Sequence, residues 1–257
     1  MASPAISAAR RRRRIARELA RMAALFPRMG LDKVILFGSA ARGDGDADSD
    51  IDLIVVKRTG KDSFERRSEV RETLNPRLDT DILVYTPREF DGLIRTRSFV
   101  RLAVGEGKVL YDSRKGRGKR AKVALPPSEV DPRAEARHWL AKAERDLTVA
   151  KDLARLGHHG HSCFYFQQAA EKVLKAYLHS RGVFGVRGHS IVALSGLAAR
   201  TDSAFAVLGA KTAPLDEFYL RTRYPDGPER EYGLEDSQVA FRLSGEVLDF
   251  VRSRLEL

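Results

Sequence analysis

The spacing of apolar residues changes about halfway along the chain. In the first 112 residues, short apolar runs alternate with segments of helical periodicity. The apolar runs are typical of strands and lie at 34–37, 51–56, 81–85 and 108–111. Helical periodicity covers 7–26, 62–74 and a segment that opens at Pro87. We therefore predict an α+β domain in which a small sheet packs with helices.

The second half of the chain has no pattern typical of a strand. Its periodicity predicts helices over 132–156, 161–180, 189–200, 204–222 and 236–256. Three glycines stand where helices are expected to end, at positions 157, 182 and 188. These features predict an all-α bundle of four or five helices.

A basic segment separates the two halves. Residues 113–122 combine Lys and Arg with glycine, and Pro126-Pro127 follows. Such a composition has little apolar surface to bury and is typical of a linker. We predict three parts: a first domain with an N-terminal helix, the linker and a helical domain, at 1–112, 113–131 and 132–257.

Composition excludes several classes of protein. Cys163 is the only cysteine among the 257 residues, which excludes a disulfide framework and a cysteine-based zinc site. No apolar run approaches the roughly 18–20 residues of a membrane span. The N-terminal arginines are followed by no apolar stretch of the kind found in secretory signals. A cytoplasmic protein without a membrane segment is the expectation.

The positive charge lies entirely in the first half. Residues 1–125 hold 28 Lys and Arg against 17 Asp and Glu, whereas 126–257 hold 18 of each. A basic half of this kind favours polyanions, such as a nucleoside triphosphate or a nucleic acid. Arginine-rich composition alone explains the same balance, so the charge supports a function without defining one.

Three carboxylates offer candidate chemistry. Asp50 and Asp52 stand two apart on a predicted strand, so their side chains point the same way. Asp81 opens the next strand, where Asp79 is the competing candidate. Carboxylates held close together repel each other unless a divalent cation lies between them, and Mg²⁺ prefers such oxygen ligands. The alternative is an Asp-rich surface loop, since residues 44, 46 and 48 are also acidic.

The turn before these carboxylates suits a phosphate. Gly38 permits a sharp turn at the end of a strand, and Ser39 supplies a hydroxyl at the start of a helix. Arg42 follows one helical turn later, from where its guanidinium can bind a phosphate oxygen.

The run GSAARGDGDADSDIDLIVV resembles the minimal nucleotidyltransferases of the DNA polymerase β superfamily. The resemblance covers roughly residues 15–112. It implies that Gly38 and Ser39, helped by Arg42, hold a nucleoside triphosphate, with ATP expected. It also implies that Asp50, Asp52 and Asp81 are catalytic and bind two Mg²⁺ ions, and that Asp81 assists deprotonation of the attacking hydroxyl.

The helical half resembles a HEPN domain over roughly residues 132–256. The likeness rests on the Gln-Gln-Ala-Ala-Glu-Lys run at 167–172, His189 before a helix, and Arg-Tyr-Pro-Asp at 223–226. Many HEPN domains are ribonucleases with an Arg four to six residues before a His. Here Arg181 precedes His189 by seven intervening residues, which departs from that pattern. Arg181 and His189 therefore form a candidate secondary site, for which helix capping by the histidine is the competing explanation.

Together these observations predict a Mg²⁺-dependent nucleotidyltransferase that moves a nucleoside monophosphate to a hydroxyl acceptor. The acceptor is left open between a protein tyrosine, RNA and a small molecule. The combination of domains suggests a toxin–antitoxin type of module fused in one chain, with a homodimer formed through the helical domain. The alternative is a HEPN-type RNA-binding protein or ribonuclease whose first domain senses nucleotide.

Overall fold

The computed structural model describes residues 4–43, 50–114, 123–221 and 232–255. The chain divides into two compact units, Met1–Glu129 and Val130–Leu257. The first is a mixed α+β unit and the second is helical, as the apolar patterns predict.

The first unit alternates helices and strands. Its helices are α1 (Pro4–Ala23), α2 (Gly38–Arg42), α3 (Ser63–Leu74), α4 (Pro87–Thr96) and α5 (Ser98–Glu106), with a short 3₁₀ turn at Phe26–Arg28. Its strands are β1 (Leu31–Phe37), β2 (Ile51–Lys57), β3 (Thr80–Tyr85) and β4 (Lys108–Asp112). Each predicted strand is present and differs from its expected bounds by at most a few residues.

The four strands form one mixed sheet in the order β3-β2-β1-β4. Strand β1 pairs antiparallel with both β2 and β4, whereas β2 and β3 are parallel. The parallel pair requires a crossover, and α3 provides it. Strand β3 lies at an edge of the sheet, so the start of β2 and the start of β3 lie beside each other.

Both faces of the sheet are covered, which explains the nearly continuous apolar runs of β1 and β2. On one face Val34, Leu53 and Val55 pack with Met22 of α1 and Leu74 of α3. Alternate residues of the same strands face the other way and pack with α4 and α5, among them Ile35, Ile54, Phe90 and Val104. Asp52 has the strand parity of Ile54, so it belongs to the face covered by α4 and α5.

Helix α3 starts at a capping box. The Asp62 side chain accepts hydrogen bonds from the backbone N–H groups of Phe64 (2.8 Å) and Glu65 (2.9 Å). Glu65 in turn accepts one from the Asp62 N–H at 3.2 Å. These bonds satisfy donors that the first helical turn leaves free, and they hold the start of α3.

The second unit is built around one buried helix. Its helices are α6 (Pro132–Arg155), α7 (His159–Ser180), α8 (Ile191–Ala198), α9 (Ala204–Thr212), α10 (Leu215–Arg221) and α11 (Leu234–Arg252). Helix α7 is buried along most of its length, and its apolar residues form a single core with those of the other helices. The described residues of this unit contain no strand.

One predicted helix is wrong in its extent. Residues 204–222 were expected to form a single helix, but α9 ends at Thr212 and α10 begins at Leu215. Pro214 lies between them and has no N–H to continue the helical hydrogen bonds.

The boundary between the two units falls within the segment predicted to be a linker, 113–131. Residues 115–122 of that segment lie outside the described residues. Its later part contacts the first unit: Arg101 Nη1 donates to the Pro126 carbonyl at 2.7 Å, and the Glu129 N–H donates to the Arg95 carbonyl at 3.0 Å.

None of the helices in the described part of the chain combines the length and apolar character needed to cross a membrane.

Candidate nucleotidyl-transfer site

Three strands bring two carboxylates together. Phe37, at the end of β1, pairs with Asp52 near the start of β2. Asp52 pairs in register with Asp81 of the parallel strand β3. In-register residues of a parallel pair point to the same face, with their strands about 4.8 Å apart. Asp52 and Asp81 therefore lie side by side although they are distant in sequence.

The other two acids of this region lie just before the strands. Asp50 precedes β2 and is exposed, as is Asp81, whereas Asp52 is partly buried. The Asp79 carbonyl accepts a hydrogen bond from the Ile51 N–H at 2.9 Å, which places Asp79 outside the Asp52–Asp81 pair.

Gly38 is required by its conformation and by its neighbour. Its φ of 69° lies in the left-handed region, which favours glycine. A Cβ added at this position would overlap the Oδ2 atom of Asp52. The turn after β1 therefore approaches the Asp52 carboxylate as closely as a backbone can.

Burial and like charge act on Asp52 in the same direction. Burial, then Asp81 and then Asp50, raise the pKa of the Asp52 carboxyl to about 6, while the positive charge of Arg42 opposes the shift. The site therefore disfavours a full set of ionised carboxylates. A bound cation would reverse this penalty, so the charge pattern is typical of a cation-binding site.

Ser39 and Arg42 occupy the short helix α2 between the turn and the loop. The Ser39 carbonyl accepts a hydrogen bond from the Gly43 N–H at 2.8 Å, which closes the helix. Arg42 Nη1 donates to Glu106 Oε2 at 3.1 Å. A phosphate bound by Arg42 would therefore compete with, or be added to, this ion pair.

The carboxylates fit a cation that is shared with a substrate. Among the described residues, no group of three or more His, Cys, Asp or Glu side chains is arranged to hold a metal ion. Mg²⁺, however, is commonly bound through one or two carboxylates, and substrate phosphates and water complete its shell. The Asp52–Asp81 pair, with Asp50 near enough to act on its charge, matches that mode of binding.

A cleft of about 720 Å³ opens beside the carboxylates. Asp52 and Asp81 form part of its wall, and α3, α5 and the end of β1 supply much of the rest. Its lining is mainly aromatic and basic: Phe37, Phe64, Phe99, Arg67 and Arg71.

The helical unit holds a second polar cluster around a buried carboxylate. Glu171 is 3% exposed and accepts hydrogen bonds from Lys175 Nζ (2.8 Å), Gln168 Nε2 (2.9 Å) and His189 Nδ1 (3.1 Å). The His189 ring stacks on Tyr219 at 4.3 Å and is half exposed. The cluster fixes the orientation of a histidine that solvent can reach.

Arg181 has different neighbours from His189. Its guanidinium lies 5.2 Å from the centre of the Tyr177 ring and donates to the Arg254 carbonyl at 3.5 Å. Glu171, which holds His189, stands ten residues earlier on α7, about 15 Å along the helix axis. The structure therefore does not bring the predicted pair Arg181 and His189 into one site.

Two predicted features lie outside the described residues. They are Ser49 of the nucleotidyltransferase pattern and the Arg-Tyr-Pro-Asp run at 223–226.

Several residues around the two sites were missed by sequence reasoning. Glu171 belongs to a run that was noticed, but nothing local indicates that it accepts from His189. Phe64 offers a clearer signal, because it lies off the apolar stripe of α3 that contains Val70 and Leu74.

Comparison with known families agrees with both halves of the fold. The family described as "Polymerase beta, Nucleotidyltransferase" matches residues 24–115, and the family described as "HEPN domain" matches residues 136–254.

Individual relatives match parts of the chain. The "Putative protein adenylyltransferase" of Methanocaldococcus jannaschii is 37% identical over 70 residues, which are 27% of this chain and 69% of that protein. The "Putative toxin" of the same organism is 28% identical over 138 residues, 47% of this chain and 88% of that protein. The crystal structure of TT1696 from Thermus thermophilus aligns with a TM-score of 0.41 and 33% identity, over 47% of this chain and 98% of that one.

A strand–turn–helix with paired carboxylates on the neighbouring strands defines the class of protein as a nucleotidyltransferase. The chain belongs to the polymerase β type of nucleotidyltransferase and carries a HEPN domain after that domain.

Proposed function

We propose that the protein uses Mg²⁺ to transfer a nucleoside monophosphate from a nucleoside triphosphate, ATP by expectation, to a hydroxyl acceptor. The observation that carries this proposal is the in-register pairing of Asp52 with Asp81, directly beside the Gly38 turn. Carboxylates next to a tight, open-backboned turn supply ligands for a divalent cation and room for phosphate oxygens at one point.

Each residue of the site has a role in this proposal. Gly38 and Ser39 would hold the triphosphate, and Arg42 would bind one of its oxygens. Asp52 and Asp81, with Asp50 beside them, would hold the Mg²⁺ ions, two being expected. When bound, Mg²⁺ would neutralise the negative charge that the carboxylates and phosphates bring together.

The reaction needs no covalent enzyme intermediate. The acceptor oxygen attacks the α-phosphorus while the bond to the β-phosphate oxygen breaks in line with it, and pyrophosphate leaves. Asp81 is exposed and lies next to the reacting centre, so its carboxylate can take the proton of the attacking hydroxyl. Positioning and charge stabilisation therefore carry the catalysis.

The relatives support a toxin–antitoxin type of module. One is named a toxin and another a protein adenylyltransferase, and the present chain has regions similar to both. In such a module the nucleotidyltransferase domain would modify or restrain the activity associated with the HEPN domain.

Incubation of the full chain with Mg²⁺ and α-labelled ATP tests the proposal. We expect label on the protein or on an added acceptor, together with release of pyrophosphate. Asp52→Asn combined with Asp81→Asn should lower the rate by roughly a hundredfold or more, because cation stabilisation of the reacting charge contributes several kcal/mol.

Asp91→Asn is the matched control, since it removes an exposed carboxylate of α4. Unchanged labelling in the double variant would contradict the proposal. So would the absence of both labelling and Mg²⁺-dependent ATP binding by calorimetry.

A second candidate function is RNA binding or cleavage by the helical unit, with the first unit sensing nucleotide. The observation that favours it is the half-exposed His189, which the buried Glu171 orients for acid–base chemistry or phosphate binding. RNA cleavage that persists in Asp52→Asn with Asp81→Asn but disappears in His189→Ala would establish this function.

A further inference from the structure

The cleft beside Asp52 and Asp81 exposes aromatic rings to an unusual degree. Phe64 is 68% exposed and Phe99 is 54% exposed, and Phe99 packs edge-on against Phe37 at 5.8 Å. Large apolar side chains at this exposure contribute little to the core. Their position in a cleft that reaches catalytic carboxylates indicates a binding surface.

The cleft lies on the acceptor side of the carboxylates, an argument that rests on the proposed function. Its described lining comes from α3, β2, β3, α5 and Phe37, and Gly38, Ser39 and Arg42 do not contribute to it. In an in-line displacement the attacking oxygen and the leaving pyrophosphate lie on opposite sides of the phosphorus. With the triphosphate at the Gly38 turn, the acceptor approaches from the cleft.

The basic residues of the cleft favour an anionic acceptor. Arg71 is held by a hydrogen bond from its Nη1 to the Thr80 carbonyl at 2.8 Å, directly before Asp81. Arg67 is exposed, and within the described parts of the chain no carboxylate pairs with it. The surplus of Lys and Arg in residues 1–125 adds long-range attraction for a polyanion and disfavours a cationic small molecule.

Exposed aromatic rings beside arginines are the features with which proteins bind single-stranded nucleic acid. Bases stack on the rings, and guanidinium groups bind the phosphates between them. We infer that the cleft binds the 3′ end of a single-stranded polynucleotide, with bases on Phe64 and Phe99, a phosphate at Arg67, and the terminal 3′-hydroxyl at Asp81.

The chemical step that follows is balanced with the proposed substrates alone. The 3′ oxygen forms a bond to the α-phosphorus of the nucleoside triphosphate, and the bond between that phosphorus and the β-phosphate oxygen breaks. Pyrophosphate leaves, and the hydroxyl proton passes to the Asp81 carboxylate and then to water. The polynucleotide becomes one nucleotide longer.

Fluorescence anisotropy with a 5′-labelled RNA oligonucleotide of about six residues tests the binding site. Phe64→Ala should weaken binding about tenfold without changing its salt dependence, because stacking carries no charge. Arg67→Ala should weaken binding and lower the slope of log affinity against log salt by about 0.7, the value for one phosphate contact on a single strand.

Two matched variants remove similar groups elsewhere. Leu156→Ala removes an apolar side chain that is 72% exposed in the helical unit, and Arg58→Ala removes an exposed arginine after the far end of β2. Both should leave affinity and salt slope unchanged. If they weaken binding as much as the cleft variants do, the inference is wrong.

Extension of the same oligonucleotide with ATP and Mg²⁺ tests the acceptor role. A product one nucleotide longer, which is absent when the 3′ end carries a phosphate, is the expected result. Transfer of label to a protein, the acceptor that the name of one relative gives for that relative, overturns the inference if oligonucleotide binding does not respond to Phe64→Ala or Arg67→Ala.

The two proposals fail in different ways. If no acceptor supports ATP turnover but the binding pattern is as predicted, nucleotidyl transfer fails, the acceptor role fails with it, and the binding site stands. If ATP is turned over but binding and extension ignore the cleft variants, the transfer stands and the polynucleotide site is wrong.

Discussion

Gly38 and Asp52 constrain each other, and this contact makes a sharp prediction at the scale of single residues. Gly38→Ala places a Cβ where Asp52 Oδ2 lies and also forces alanine into a φ of 69°. The backbone strain alone is expected to lower the free energy of unfolding by about 1–2 kcal/mol. The displacement of Asp52 should in addition reduce nucleotidyl transfer at least tenfold, measured with α-labelled ATP.

Gly30 supplies the matched control for this change. Its φ is 62°, but a Cβ there meets nothing within 4 Å. Gly30→Ala should therefore show a similar loss of stability in urea unfolding and retain activity. Equal losses of activity in both variants would mean that the contact with Asp52 is unimportant.

The pKa of Asp52 predicts how stability depends on pH. It is raised from 3.8 to about 6, chiefly by burial and by Asp81, so the folded state favours the protonated carboxyl. That contribution is present below about pH 4 and is lost as the pH rises through 6. Asp52→Asn cannot ionise and keeps it.

In metal-free buffer, Asp52→Asn should therefore gain stability relative to the unsubstituted chain between pH 4 and pH 7.5. We expect about 1 kcal/mol, because the half-buried side chain is partly screened by solvent. Urea unfolding at both pH values in EDTA measures the difference, and Mg²⁺ at pH 7.5 should reduce it. A relative loss of stability on raising the pH would refute the assignment of the shift to Asp52.

At the scale of elements, helix α7 depends on a buried ion pair. The side chains of Lys175 and Glu171 are 8% and 4% exposed and are joined at 2.8 Å. Glu171→Gln removes one charge and leaves the Lys175 ammonium buried without a counter-charge, so we expect a loss of about 3 kcal/mol in unfolding free energy.

Two further variants define this effect. Asp152→Asn breaks the exposed pair with Arg155 and should change stability by less than about 0.5 kcal/mol. Adding Lys175→Met to Glu171→Gln should restore part of the loss, since no charge then remains unpaired. Equal stability of the double variant and Glu171→Gln would argue against the ion-pair explanation.

The whole molecule is built from two separate hydrophobic cores. The core of the helical unit shares no residue with the clusters on the two faces of the sheet. Units of 1–129 and 130–257 are each of a size that commonly folds alone. Each fragment, expressed separately, should unfold in one cooperative transition in urea. A fragment without a cooperative transition would show that its core needs the rest of the chain.

The sequence alone was sufficient for features that depend on neighbours along the chain. Alternation with period two and 3.6-residue periodicity predict the strands and most helices, because burial of one face repeats locally. The Gly38-Ser39 turn and the Asp50–Asp52 spacing are local in the same sense. Pro214, which separates α9 from α10, was a local signal that went unused.

Only the tertiary structure decided which distant residues meet. The parallel register of β2 and β3 places Asp81, and not Asp79, beside Asp52, and a shift of one residue would have turned Asp81 to the other face. Likewise, helix packing brings His189 to Glu171 and leaves Arg181 elsewhere. The cleft exists because α3 and α5 flank the same carboxylates. Such contacts depend on strand register and helix packing, which the composition of a local segment does not determine.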